Sequence, residues 1–356
     1  MAVSKARSIE IIKQHQAASG AYVACPNFPT YQYSWFRDGA YIAYAMDLAG
    51  EHESARRFHG WAAGVILNHT DVIGEALGFA AREGRAPEDV YLHTRYTLDG
   101  EEDQTDWPNY QLDGIGTWLW SLEQHRELAG GTLPEAWLES AELAAAYLSG
   151  LWRYPCSDSW EEFHDQVHTY TLAAVYGGLQ AAGALTGKAR PGALDEIRAV
   201  LLDEAVREGG FVKYLGSGLV DANLLGLSVP YGVVAADDPR MAATADRIEE
   251  EIVQHNGLHR YAEDTYYGGG AWVLLSAWLG WYWAERGDLG RARELLGWVE
   301  AQADGDGGLP EQVPVDLNAP AYLSVWRERW GEIARPLLWS HAKHLILLEK
   351  LRGAEG

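Results

Sequence analysis

The chain has 356 residues, 47% of them hydrophobic, enough for a large core. Its 51 acidic side chains against 28 Lys and Arg leave a formal net charge of −23. Such a surface repels nucleic acid and anionic membranes and favours a neutral or cationic ligand, although it also serves plain solubility.

The N-terminal Met-Ala-Val-Ser-Lys-Ala-Arg is followed by no apolar h-region, and no run is long enough to span a bilayer. The expectation is a cytoplasmic protein without a membrane partner. Helical periodicity then predicts helices over 5–19, 38–49, 53–68, 111–129, 134–152, 167–186 and 191–207. A short strand piece is expected near 210–214 and a less regular helix over 221–235. Helices over 240–255, 270–286, 289–303 and 336–352 complete the chain. Thr132 with Pro134 can open the helix at 134, Gly187 can close the one ending at 186, and Asp288 can cap the one at 289. Cys25 and Cys156 are too few for a disulfide framework; they fit a reducing compartment or one incidental bridge.

Two kinds of helix alternate. Segment 270–286 is apolar nearly all round, whereas 240–255 and 289–303 carry charged outer faces. A helix apolar on every side is buried. Inner buried helices alternating with outer amphipathic ones predict an all-α, two-layer helical barrel, a single domain over 1–356. A solenoid is the alternative, but no fixed-period repeat is present. The aromatic composition is skewed to 16 Trp and 19 Tyr against 6 Phe. These rings join an apolar face to a hydrogen-bonding edge, which suits a sugar or a core rich in large residues.

Acids, Arg and Trp collect between the helices in five clusters. Trp35-Phe36-Arg37-Asp38-Gly39-Ala40 offers a donor–acceptor fork for vicinal hydroxyls, or a helix cap in Asp38 beside a surface Arg. In Asp106-Trp107-Pro108-Asn109-Tyr110-Gln111-Leu112-Asp113-Gly114, Trp107 precedes a proline and is held extended, where it can form a stacking wall; Asp113 can cap the next helix. Asp158-Ser159-Trp160-Glu161-Glu162 sets two acids beside an indole that can raise a carboxyl pKa, or places first-turn acids on a helix dipole. Arg260 in His259-Arg260-Tyr261-Ala262-Glu263-Asp264 is either a ligand fork or a loop pin paired with Glu263. Glu311, among Gly307, Gly308 and Pro310, serves no helix turn and is a candidate general base.

In this order the clusters resemble glycoside hydrolase family 15, the glucoamylase-like family, over about residues 30–345. The carriers are Trp-x-Arg-Asp-Gly-Ala, Gln-x-Asp-Gly, Trp-Glu-Glu, Arg-Tyr-x-Glu-Asp, Pro-Glu-Gln and Trp-Ser-His-Ala. The resemblance implies an (α/α)6 barrel and an inverting hydrolase that needs no cofactor or metal. It implies Glu161 as general acid and Glu311 as general base, with Arg37, Asp38 and Arg260 on the terminal glucose. Trp35, Trp107 and Trp339 would line the pocket, Trp160 would stack beside the acid, and Glu162 would place the next sugar. Inversion needs room for a water, so the two carboxyls should lie roughly 6.5–9.5 Å apart.

Phe36 stands where the family commonly has Pro. The chain leaves no space for an N-terminal β-sandwich or a starch-binding module, which favours short soluble oligosaccharides and, among linkages, α-1,6. A trehalase of the same family and a non-catalytic sugar-binding module are the competing readings. A sugar epimerase would need catalytic histidines, and only His168 and His341 lie near the clusters. Asp304 and Asp306 among glycines offer at most a weak Ca²⁺ loop.

Overall fold

Helices with apolar residues on every side must be covered on every side, and that requirement organises the chain. The computed structural model describes residues 3–355. Its helices are α1 (Lys5–Gln14), α2 (Phe36–Leu48), α3 (His52–Asn68), α4 (Thr70–Glu83), α5 (Asp113–Ala129), α6 (Glu135–Leu151) and α7 (Thr169–Thr186). There follow α8 (Pro191–Asp203), α9 (Pro239–Glu251), α10 (Val273–Glu285), α11 (Leu289–Ala301), α12 (Ala321–Trp330) and α13 (Leu338–Glu355). Eight two-residue strands decorate them: β1 (Ser34–Trp35), β2 (Arg95–Tyr96), β3 (Val206–Arg207), β4 (Gly210–Phe211), β5 (Val253–Gln254), β6 (Gly257–Leu258), β7 (Ala271–Trp272) and β8 (Gln312–Val313).

An inner ring closes in the order α2, α5, α7, the short 3₁₀ turn Ala222–Leu227, α10, α13 and back to α2. Outside it, α1 packs on α13, α3 on α2, α6 on α7, α8 on α7, α9 on the 3₁₀ turn and α11 on α10. This is an (α/α)6 barrel. The residues explain each layer. In α10 nearly every side chain is buried, including Trp278 and Trp281, whereas α9 buries only Met241, Thr244, Ala245 and Ile248, a stripe at helical spacing. Helices α5 and α7 approach closely because a Cβ on Gly116 would come within 2.3 Å of the Ala174 carbonyl oxygen.

The alternation also builds the site. Each outer helix returns the chain to the same end, so every inner element begins there. The loops that lead into α2, α5, α7, the 3₁₀ turn, α10 and α13 meet above one mouth. Two small antiparallel sheets stiffen them: β1 pairs with β2 (Trp35 opposite Arg95), and β5–β6–β7–β8 places Trp272 opposite Gln312.

Helix limits differ from expectation at several places. Asp288 caps α11 through the Arg291 N–H, and Gly187 closes α7 at φ 73°. Thr132 is not a cap: α6 starts after Pro134 with no side-chain cap. The helix expected over 221–235 is reduced to the 3₁₀ turn, and the strand piece is the β3–β4 hairpin. Helices α4 and α12 were not expected. Gly74 and Gly78 interrupt the first, and in the second the partly buried stripe Leu323, Trp326 and Trp330 is masked by the exposed Tyr322 and Val325. Both cysteines are buried and free, which removes the bridge alternative. Among the described residues no helix is long and apolar enough to cross a membrane.

Candidate active site

At the mouth lies a cavity of about 360 Å³, at the small end of the range for ligand pockets. All ten residues singled out from the sequence line it: Trp35, Arg37, Asp38, Trp107, Trp160, Glu161, Glu162, Arg260, Glu311 and Trp339. Tyr31, Tyr266, Trp272, Trp326, Arg329 and Trp330 line it too.

Glu161 sits in no helix; α7 begins only at Thr169, so the helix-dipole alternative falls away. It takes the left-handed conformation at φ 69°, which costs a non-glycine residue roughly 1–2 kcal/mol. A dense turn enforces it. The Asp158 carbonyl accepts from the Glu161 N–H at 2.9 Å, and Asp158 Oδ1 accepts from the N–H groups of Trp160 and Glu162, each at 2.9 Å. The other Asp158 oxygen pairs with Lys213 Nζ at 2.9 Å, and Lys213 also pairs with Asp221, which accepts from the Trp160 indole at 3.0 Å. Burial works against the Lys213 charge, but the two aspartates outweigh it and hold its pKa above the usual lysine value. The network leaves Glu161 half-buried, with Oε1 accepting from the Trp35 indole N–H at 2.6 Å. The indole touching Glu161 is therefore that of Trp35, while the Trp160 N–H is used below the loop.

Glu311 is mounted differently. Its N–H donates to the Ala334 carbonyl and its carbonyl accepts from the Val273 N–H, both at 3.0 Å, so the backbone is locked at the edge of β8. Two residues earlier, the Leu309 N–H donates to His341 Nε2 at 3.0 Å. Burial pushes the His341 imidazole down to about 3, so it remains the neutral acceptor this bond needs. The Glu311 carboxyl is 4% exposed, and its Oε2 has no hydrogen-bond partner. Burial pushes it up to about 8, against the pull of the Tyr31 hydroxyl and the Arg260 guanidinium.

The remaining walls carry charge that is partly committed. Asp38 lies in the first turn of α2 rather than at its cap, and Arg37 Nη1 donates to Gln111 and Asp113, both at 3.1 Å. Asp113 is thus an ion-pair partner and the first residue of α5, not its cap. Arg37 Nε makes no hydrogen bond but lies 3.7 Å from Asp38 Oδ2, and burial raises Asp38 to about 7 despite this ion pair. Arg260 pairs with Asp264 at 2.8 Å and with Glu162 at 3.3 Å; the expected Glu263 partner is not used. The Tyr261 hydroxyl donates to the second Glu162 oxygen at 2.6 Å. Trp339 stacks on Tyr41 at 5.6 Å to form part of the floor.

Behind Trp107 and Trp35 stands a cation that sequence reasoning missed. The Arg95 guanidinium lies 3.7 Å from the Trp107 ring centre and 5.0 Å from that of Trp35, anchored by Asp103 at 2.7 Å. One face of each indole is thereby braced. His168 and His341 do not line the cavity. Each fixes backbone, His168 at the Phe163 carbonyl and His341 at Leu309, which removes the footing of the epimerase reading.

An aromatic cavity with two carboxyls from separate loops and unpartnered polar atoms on its walls suits a neutral polyhydroxyl ligand. Comparisons with known proteins agree. The chain is 40% identical over 349 residues to an isomaltose glucohydrolase from Kribbella flavida, covering 96% of this chain and 90% of the relative. It superposes on a glycosidase variant in complex with glucose with a TM-score of 0.94 at 40% identity, covering 98% and 96% of the two chains. The glucoamylase of Saccharomycopsis fibuligera shares the fold at 14% identity, with a TM-score of 0.71 and 100% and 97% coverage. The family model for Glycosyl hydrolases family 15 matches residues 5–305, and with these likenesses the chain belongs to that family of O-glycosyl hydrolases.

Proposed function

We propose that this protein is an inverting, exo-acting α-glucosidase that releases β-D-glucose from the non-reducing end of short α-gluco-oligosaccharides, with isomaltose preferred to maltose. The observation that carries the reading is the pair Glu161 and Glu311 on one cavity, one half-exposed with a single indole donor and the other buried with a free oxygen. The likeness to an isomaltose glucohydrolase over nearly the whole chain supports the α-1,6 preference.

In this reading Glu161 gives its proton to the glycosidic oxygen as the bond from that oxygen to C1 breaks. Glu311, ionised, takes a proton from a water that attacks C1 from the opposite face. The released glucose is the β-anomer; Glu161 ends ionised and Glu311 protonated, and exchange with solvent resets both. Burial makes Glu311 a stronger base than an ordinary carboxylate, while Tyr31 and Arg260 keep its ionised form within reach. Arg37, Asp38 and Arg260 grip the hydroxyls of the terminal glucose. Trp35, Trp107 and Trp339 cover its faces, Trp160 closes the wall below the acid, and Glu162 orients the departing sugar.

Initial rates of glucose release from isomaltose, maltose and trehalose test the proposal. The expected order puts isomaltose first. A faster rate on trehalose would move the protein to the trehalase reading, and no release from any α-glucan would leave a sugar-binding module.

A further inference from the structure

A second group of chemistry-bearing side chains lies at the other end of the barrel, about 14 Å further along α2 than Asp38. Asp47 near the end of α2, His59 of α3 and His125 of α5 place one donor atom each within 4.8 Å of one another, and all three residues are buried. Asp47 accepts from His125 Nδ1 at 2.9 Å and from His52 Nδ1 at 2.8 Å. His52 is 40% exposed at the rim. Two features of the group remain unexplained by packing.

The first is His59. It is 0% exposed, yet neither ring nitrogen has a hydrogen-bond partner. A neutral imidazole carries one N–H and one lone pair, an imidazolium two N–H groups, and a core that leaves both ring nitrogens unmatched loses the hydrogen bonds water would have given them. The second is charge. Asp47 is fully buried, and the ion-pair partners that the described residues offer it are His52 and His125, which carry charge only when protonated. A buried carboxylate needs a cation. The rings of His59 and His125 face each other at 5.0 Å, and Trp137 of outer helix α6 lies 6.2 Å from each and covers the group on that side.

We propose that Asp47, His59 and His125 form a structural site for a divalent transition-metal ion, with His52 or water as the fourth ligand. Two imidazoles and one carboxylate are the donor set of zinc rather than of calcium or magnesium, which take oxygen. One ion would answer both defects, using the His59 lone pair and neutralising Asp47. Tetrahedral ligation at roughly 2.0–2.2 Å sets donors about 3.4 Å apart. The three donor atoms already lie within 4.8 Å of one another, and the His59 ring has no hydrogen bond to break in closing on an ion. The ion would tie inner helices α2 and α5 to outer helix α3. None of these residues lines the catalytic cavity, so the assignment does not depend on the proposed reaction.

The test uses the full chain, stripped with a chelator and titrated with zinc chloride. One equivalent should survive gel filtration by elemental analysis and raise Tm, and cobalt(II) in its place should give the intense visible bands of a four-coordinate ion. His59→Gln should lose the stoichiometric zinc and the Tm rise, while Glu311→Gln keeps both, which separates this site from the cavity carboxylates. A zinc response retained in His59→Gln overturns the proposal. Should that variant not fold, the cobalt spectrum of the unmodified chain decides: only the weak bands of six-coordinate cobalt would mean that the group encloses no metal.

Discussion

The two glutamates of the cavity are held by opposite means, and the difference matches the work proposed for each. Glu161 rides a strained turn whose stiffness comes from beneath, through Asp158, Lys213 and Asp221, while its own carboxyl meets one indole N–H and the open cavity. Glu311 rides a strand edge whose backbone is pinned on both sides, while its carboxyl is buried and half unpartnered. A group that must hand a proton to a departing sugar gains from facing the mouth. A group that must strip a proton from one ordered water gains from a dry wall that makes it basic. Position is fixed in both cases by bonds that leave the reacting oxygens free.

Removing either carboxylate should have the largest effect. Glu161→Gln and Glu311→Gln should each lower kcat by about 10²–10⁴ with the fold intact, and azide should restore turnover to the second variant alone, since only there does a small anion replace the activated water. Equal rescue of both, or turnover near that of the unmodified enzyme in either, would erase the distinction. A smaller loss, about 10–100-fold in kcat, is expected for Trp35→Phe, which keeps the aromatic wall but removes the N–H that orients Glu161. A change confined to KM would show that Trp35 only binds sugar.

The smallest effect concerns pH. Glu311 acts ionised, so activity falls as pH drops through its pKa. Burial raises that pKa from the usual 4.5 towards about 8, which places the acid limb of kcat/KM above the ordinary glutamate range. The Tyr31 hydroxyl works in the opposite direction, so Tyr31→Phe should move the limb further up with only a few-fold loss at its optimum. A limb at 4.5 or below, or a downward shift in the variant, would contradict the placement of the base in a dry wall.

Much of this was legible in the sequence because the relevant signals are local. Helix periodicity marks the inner and outer layers, and motifs at the starts of inner helices mark the cavity. What stayed hidden depends on contacts between distant segments. Arg95 carries no motif; its meaning comes from stacking on Trp107 and Trp35. Tyr31 gains its place from Tyr266, whose hydroxyl lies 2.8 Å away. Trp326, Arg329 and Trp330 reach the mouth on α12, whose partly buried stripe is masked in the sequence by the exposed Tyr322 and Val325. One missed signal was available: Lys213 stands in the apolar run Phe-Val-Lys-Tyr-Leu, and a lysine there needs buried acids to pair with. The metal-site candidate is the same kind of case, since Asp47, His59 and His125 come from three helices with no ligand spacing between them.

Proton NMR of isomaltose mixed with the pure enzyme tests the two-glutamate account most directly. The first anomeric signal to grow should be that of β-glucose, with α-glucose following only as mutarotation proceeds. An initial burst of α-glucose would mean retention of configuration and would contradict the assignment of Glu311 as a base acting through water.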